Sequence, residues 1–267
     1  MKKFSSPILL GALLVSGLLN SCAEKEAVVQ DKQGISAEAL NQIKLSGFST
    51  SNVQRDEDGT YIVEGDIRLS AQELSQRAAQ NFLRVGQDEQ YRTTNLVGGL
   101  PRVITVSISS QLPASYVAGL DEAIARFNAE NLQITFSRVS SGATISLVRG
   151  NGSYLASAGF PTAAGEPHNE VKINSRAIGN NPSAAYLGTI LAHEIGHCIG
   201  FRHTDYMDRS YSCGGSTANE GASTVGAILI PGTPSAADPN SWMLACIGSG
   251  QSRPFNANDK TALNYLY

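Results

Sequence analysis

Histidine, cysteine and tryptophan are scarce here: 267 residues hold four, four and one of them. Charge is thin as well, at 16% of residues, and 20 Lys+Arg against 23 Asp+Glu leave a formal net charge of -3. No long run of either sign occurs, so the basic footprint of a nucleic-acid binder is missing and nucleic acid is not an expected partner. Four cysteines are too few to staple a chain of this length, and no internal repeat points to a solenoid. What remains is a globular composition, 42% hydrophobic, with enough length for one sizeable core or a core plus a small appendage.

The apolar run Pro7 to Leu19 follows Lys2 and Lys3 and ends at the small residue Ser21. It is too short for a stable bilayer anchor and predicts a secretory signal over residues 1–21. Leu19-Asn20-Ser21-Cys22 resembles a bacterial lipobox, although Asn20 is not the commonest residue at its place. The resemblance implies lipid on Cys22, membrane attachment through that lipid, and a place in the bacterial cell envelope, periplasmic or surface-exposed, or secretion after processing. With Cys22 lipidated, Cys198, Cys213 and Cys246 are left; export permits a disulfide, and all three pairings stay open.

Residues 22–35 are polar and aperiodic, as a tether would be, and residues 36–100 form an N-terminal segment. In it a helix is expected over residues 36–48 and another over 70–83, with strands YIVE and IRL on either side of Gly65-Asp66. The main domain is expected over residues 101–267. It opens with strand RVITVSIS and an amphipathic helix carrying Val117, Leu120, Ile124 and Phe127 on one face. Strands LQITFSRV and ATISLVRG follow, then the weaker GSYLASAGFP and EVKINSRAI. A helix beginning after Asn181-Pro182 should stop at Gly200, a residue suited to a left-handed cap. Phe201 to Pro254 lacks periodicity, and a short terminal helix with Ala262, Leu263 and Leu266 inward closes an α+β domain.

Three of the four histidines fall in HEIGHCIGFRHTD, His193 to Asp205. On a helix each residue advances by about 100°, so His193 and His197 face one way, a turn apart. Glu194 sits beside that direction, able to lean toward a metal-bound water as general base. A catalytic zinc keeps three protein ligands and an open position, and a chain turned back by Gly200 brings His203 to the same ion. Lone histidines are usually surface or core residues, but five fixed residues at His-Glu-x-x-His-x-x-Gly-x-x-His spacing make a highly specific signal. Asp205 can orient a ligand imidazole or be a turn residue. Cys198 should point away from the metal, into the core or a disulfide.

This motif resembles the zinc-binding consensus of the metzincin metallopeptidases. The wording HEIGH, with the lipoprotein-like start, more closely resembles the bacterial family described as dual-action HEIGH metallopeptidases. The resemblance covers about residues 101–267 and implies a twisted mixed five-stranded sheet, a zinc-binding helix, and an irregular C-terminal subdomain with a Met-turn and a terminal helix. It implies an endopeptidase that cuts protein or peptide substrates by a Glu194-activated water, with one Zn2+ held by His193, His197 and His203. Met243 best fits the methionine of the Met-turn; Ala245 stands where some relatives carry a tyrosine, a role that is absent here or supplied elsewhere, for instance by Tyr206 or Tyr211. The substrate-gripping edge strand is expected at Gly152 to Gly159, antiparallel to an extended peptide. VEGDI, Val63 to Ile67, resembles the Phe-x-Gly-Asp motif of astacin prosegments with Val63 in place of phenylalanine; this implies Asp66 as a zinc ligand that keeps a zymogen latent, against a plain hairpin turn at Gly65-Asp66. The competing functions are a surface binding lipoprotein with a non-catalytic zinc, and a metal-dependent amidase.

Overall fold

The structure is a computed structural model and describes residues 34–77, 90–206, 208–215, 227–234 and 238–267. The signal, Cys22, most of the tether, Met207 and the second half of the helix expected over residues 70–83 lie outside them.

The N-terminal segment folds as α1 (Ala37–Leu45), a meander of β1 (Gln54–Arg55), β2 (Tyr61–Val63) and β3 (Ile67–Leu69), and α2 (Ala71–Arg77). Ser36 caps α1 by accepting from the Ala39 N–H, 3.1 Å away. Strand β4 (Tyr91–Arg92) leads to β5 (Arg102–Ile108), α3 (Tyr116–Asn128), β6 (Ile134–Arg138), β7 (Ile145–Arg149), β8 (Ala156–Ala158) and β9 (Glu170–Ile173). Helices α4 (Ser175–Ile178), α5 (Ala184–Ile199) and α6 (Ser210–Cys213), strand β10 (Ile228–Leu229) and helix α7 (Ala257–Leu266) complete an α+β chain.

Five strands of the main body, β8-β9-β7-β5-β6, form a mixed sheet in which only β8 runs antiparallel to its neighbour β9. The sheet does not end at β8. Strand β3 pairs with β8 in parallel, Ile67 opposite Ala158, and β2 and β1 extend the order to eight strands. Alternating Ile104, Val106, Ile145, Leu147, Val171 and Ile173 turn their apolar faces to α3 and α5, which makes the main core. The N-terminal segment has its own small core of Ile43, Val63, Ile67 and Leu74, joined to the body by Phe160.

Two strands are shorter than their sequences suggest. GSYLASAGFP is extended only over Ala156–Ala158, because the Tyr154 ring folds back against the Cα side of Gly150 and Gly152. EVKINSRAI stops at Ile173, because the Asn174 side chain accepts from Arg176 and Ala177 N–H groups and starts α4. Of the three open cysteine pairings the structure makes Cys213 to Cys246, and Cys198 is a buried free thiol.

Candidate active site and metal centre

Helix α5 starts where the Ser183 hydroxyl accepts from Tyr186 N–H and ends at Gly200, whose φ of 111° is left-handed. Nearly every residue from Tyr186 to Ile199 is buried, because one face packs on the sheet and the other on the C-terminal loop. The chain then returns beneath the helix. Arg202 N–H donates to Tyr91 O at 2.9 Å, and Thr204 N–H donates to Met243 O at 3.0 Å, so His203 is fixed between two stitched positions.

His193, His197, His203 and Asp66 bring one donor atom each to within 4.8 Å of one another, all four residues buried. Nε2 of His197 and Nε2 of His203 are 3.2 Å apart, and Asp66 Oδ2 stands 3.2 Å from His203 Nε2 and 3.4 Å from His193 Nε2. Tetrahedral zinc with bonds near 2.05 Å has ligand-to-ligand edges of about 3.4 Å. The donor atoms therefore outline a centre of the right size.

Proton positions agree. His193 Nδ1 is 3.0 Å from Trp242 O and His197 Nδ1 is 2.8 Å from Phe201 O; a carbonyl only accepts, so each Nδ1 carries the proton and each Nε2 keeps a lone pair for a metal. His193 Nε2 and Asp66 Oδ1 are buried with no hydrogen-bond partner of good geometry among the described residues, as expected of groups whose partner is an ion. Burial pushes the His197 pKa well down, reinforced by His193 and His203, which keeps the imidazole neutral. Burial also acts to raise the Asp66 pKa, but the neighbouring histidines, the charge of His203 foremost, outweigh it and hold the carboxyl well below the usual range. Glu194 is pushed well up, by burial first and by the Asp66 charge second.

Met243 lies on a tight turn closed by a 3.4 Å bond from Leu244 N–H to Ser241 O, and is fully buried beneath Gly196. That turn also supplies the Trp242 carbonyl that fixes His193. Asp205 does not orient a ligand ring: its Oδ1 accepts from Ala245 N–H at 2.9 Å and its Oδ2 from Ser212 Oγ, which anchors the segment after Met243. Tyr206 is buried edge-on against Tyr91, and Tyr211 is 45% exposed on α6. Cys198 faces the core, as its place beside His197 implies, and burial pushes its thiol well up. A cleft of about 260 Å³ opens beside His193 and Glu194, walled by Tyr154, Ile190, Leu244 and Arg253.

Asp66 reaches the histidines from the tip of the β2-β3 hairpin. Glu64 and Gly65 both have positive φ, 53° and 93°, and Val63 faces Ile67 across the strands, so the tip is a three-residue turn. Asp66 O accepts from Ala158 N–H at 3.1 Å, which ties the tip to β8. Gly65-Asp66 is thus part of a hairpin turn and at the metal centre at once. Two site neighbours give no sign in the sequence: Glu64 and Arg202, a fully buried ion pair with Nη2 2.8 and 2.9 Å from the two carboxylate oxygens. Each sits one or two places from a conspicuous residue, and no local pattern announces their pairing.

A mixed α+β body with a buried three-histidine centre and a glutamate on the same helix is that of a zinc metallopeptidase. The family described as Dual-action HEIGH metallo-peptidase matches residues 61–267, and the chain belongs to that family. No curated protein matches it. Among solved structures, two of myroilysin are 15% identical with a TM-score of 0.41; one covers 64% of this chain and 82% of its own, the other 76% and 98%. High choriolytic enzyme 1, a hatching enzyme zinc-protease from Oryzias latipes (medaka fish), is 20% identical over 61% of this chain and 88% of its own, with a TM-score of 0.33.

Proposed function

We propose that this zinc metallopeptidase is a latent endopeptidase, exported and lipid-anchored at Cys22, in which residues 36–100 act as a prosegment and residues 101–267 as the catalytic domain. The observation that carries the reading is Asp66, which fills the fourth position around His193, His197 and His203 from outside the main body. The three histidines hold the metal, Met243 supports them from below, and Asp66 takes the place a substrate oxygen and water need. His193, His197 and His203 would hold a zinc ion, which would supply Lewis acidity toward the scissile carbonyl and a lowered pKa for the attacking water.

Glu194 takes the proton of the attacking water and passes it to the leaving amine, which suits a carboxylate that lines the cleft. Departure of Asp66 removes one of the two causes that raise the Glu194 pKa and favours the ionised base. Strand β8 then presents a free edge to an extended peptide. The Nδ1 bonds to Trp242 and Phe201 keep His193 and His197 in the ligand tautomer throughout.

Export and lipidation are supported by the Lys2 to Cys22 pattern. The test is casein hydrolysis by the zinc-loaded chain, uncut and after limited trypsin digestion, beside Glu194→Ala. Hydrolysis that appears on digestion and is missing in the variant supports the reading. Hydrolysis by neither digested protein favours a non-catalytic zinc-containing binding lipoprotein.

A further inference from the structure

Arg202 is 1% exposed and lies one residue from His203. Its Nη2 donates to both oxygens of Glu64, while Nε and Nη1 are buried without a hydrogen-bond partner among the described residues. His203 Nδ1 is orphaned in the same way, and Glu64 Oε2 lies 4.0 Å from it. His193 and His197 have main-chain acceptors from the body for their Nδ1 atoms; His203 has none. The body therefore keeps three further donors, Arg202 Nε and Nη1 and His203 Nδ1, unpaired beside Glu64, and the carboxylate held by Nη2 comes from the N-terminal segment.

Two features tie Arg202 to the segment that carries this carboxylate. Glu64 is held at φ 53°, a left-handed conformation that costs a non-glycine residue on the order of 1 kcal/mol or more. The lid over the guanidinium is Phe48, whose ring centroid is 4.5 Å from Arg202 Cζ, and Phe48 belongs to the same segment as Glu64. Removal of residues 34–77 takes away the Phe48 ring and the carboxylate together and leaves Arg202 with no acidic partner from that segment.

The pocket's place along β8 sets which part of a substrate it meets. The cleft beside His193 and Glu194 is walled by Ser153 to Ala156, at the start of that strand. Phe48 stacks on Phe160 at 6.1 Å as well as on Arg202, which puts the Arg202 pocket beyond the strand's other end. A peptide antiparallel to β8 has its N-terminal half there. The Glu64 carboxylate stands across one imidazole from the metal-facing Nε2, a reach of within about three extended residues at ~3.3 Å each.

Building on the latent-peptidase reading, we infer that Arg202, with His203 Nδ1, is the specificity-determining site for an acidic side chain on the acyl side of the cut bond, and that Glu64 occupies it as a substrate mimic. A planar guanidinium matches a carboxylate by charge-assisted bonds, and a glutamine in its place leaves buried donors unpaired.

The experiment uses the zinc-loaded full chain, trypsin-processed until casein hydrolysis is constant, on peptide pairs with Glu or Gln at each of the three acyl-side positions. The expected result is a Glu/Gln ratio in kcat/KM of roughly tenfold or more at one position. Arg202→Ala strands Glu64 in the uncut chain, so it is made together with Glu64→Gln; the ratio should fall to near one. A loss shared equally by Glu and Gln peptides would mean that Arg202 is only structural and overturns the inference. Wild-type enzyme gives the second readout: N-terminal product peptides with Glu should inhibit more tightly than those with Gln, and equal inhibition overturns it as well. A processed chain that cuts neither casein nor any peptide overturns the peptidase reading itself, whereas casein hydrolysis without Glu preference overturns this inference alone.

Discussion

Gly196 and Met243 touch across the floor of the metal centre so closely that a Cβ on Gly196 would lie 2.7 Å from the Met243 Sδ and 2.6 Å from the Trp242 ring. The glycine between the two helix histidines is therefore the gap into which the turn beneath them fits. Gly196→Ala forces the turn away and with it the Trp242 carbonyl that holds His193. The expected cost is about 1–3 kcal/mol of stability, read from the denaturation midpoint, with a weaker zinc affinity measured by competition with a chelator.

Glu194→Gln keeps the size of the side chain and removes the base. Casein hydrolysis by the processed chain should fall by at least about 100-fold while one zinc per chain is still found by elemental analysis. Retained activity in this variant refutes Glu194 as the base.

Asp66→Asn takes a negative charge from beside three histidines. The uncut chain should gain measurable peptide hydrolysis and reach full activity faster on digestion, whereas the processed enzyme should be unchanged. If both the basal rate and the activation rate match wild type, Asp66 is a hairpin residue and no switch.

Lys172 fastens the N-terminal meander at a second place, the turn between β1 and β2, with Nζ 2.9 Å from Asp56 Oδ2 and 2.7 Å from Asp58 Oδ2. Burial pushes the Asp56 pKa up, but bonds from Lys172 and Arg68 outweigh it and hold the carboxyl below its usual range. A lowered folded pKa gives stability that is full above the ordinary aspartate pKa and is lost as pH falls through the lowered one. Amide exchange at Ile67 to Leu69 should thus stay slow at pH 5 and quicken only below about pH 4. Lys172→Met should move that release to higher pH.

Much of this site could be read without coordinates because its signals are local. The helix period, the Gly200 stop and the histidine spacing all concern residues within one turn or two, and α5 with its cap is where they put it. The strands about Gly65-Asp66 were legible for the same reason. What the chain does not write locally is partnership over distance: that β3 chooses β8 and in parallel, that Cys213 takes Cys246, that Asp205 serves Ala245, and that Glu64 answers Arg202. Arg202 in particular reads as a surface arginine inside a motif, and only the segment laid over it makes it a buried cation.

The parallel pairing of β3 with β8 also bears on how the protein survives its own biosynthesis. A bare sheet edge is a template on which other chains aggregate. Here the edge at Ala156–Ala158 is closed by the molecule's own hairpin. The strand it covers is three residues long, too short to seed a lasting stack of strangers were the hairpin to leave.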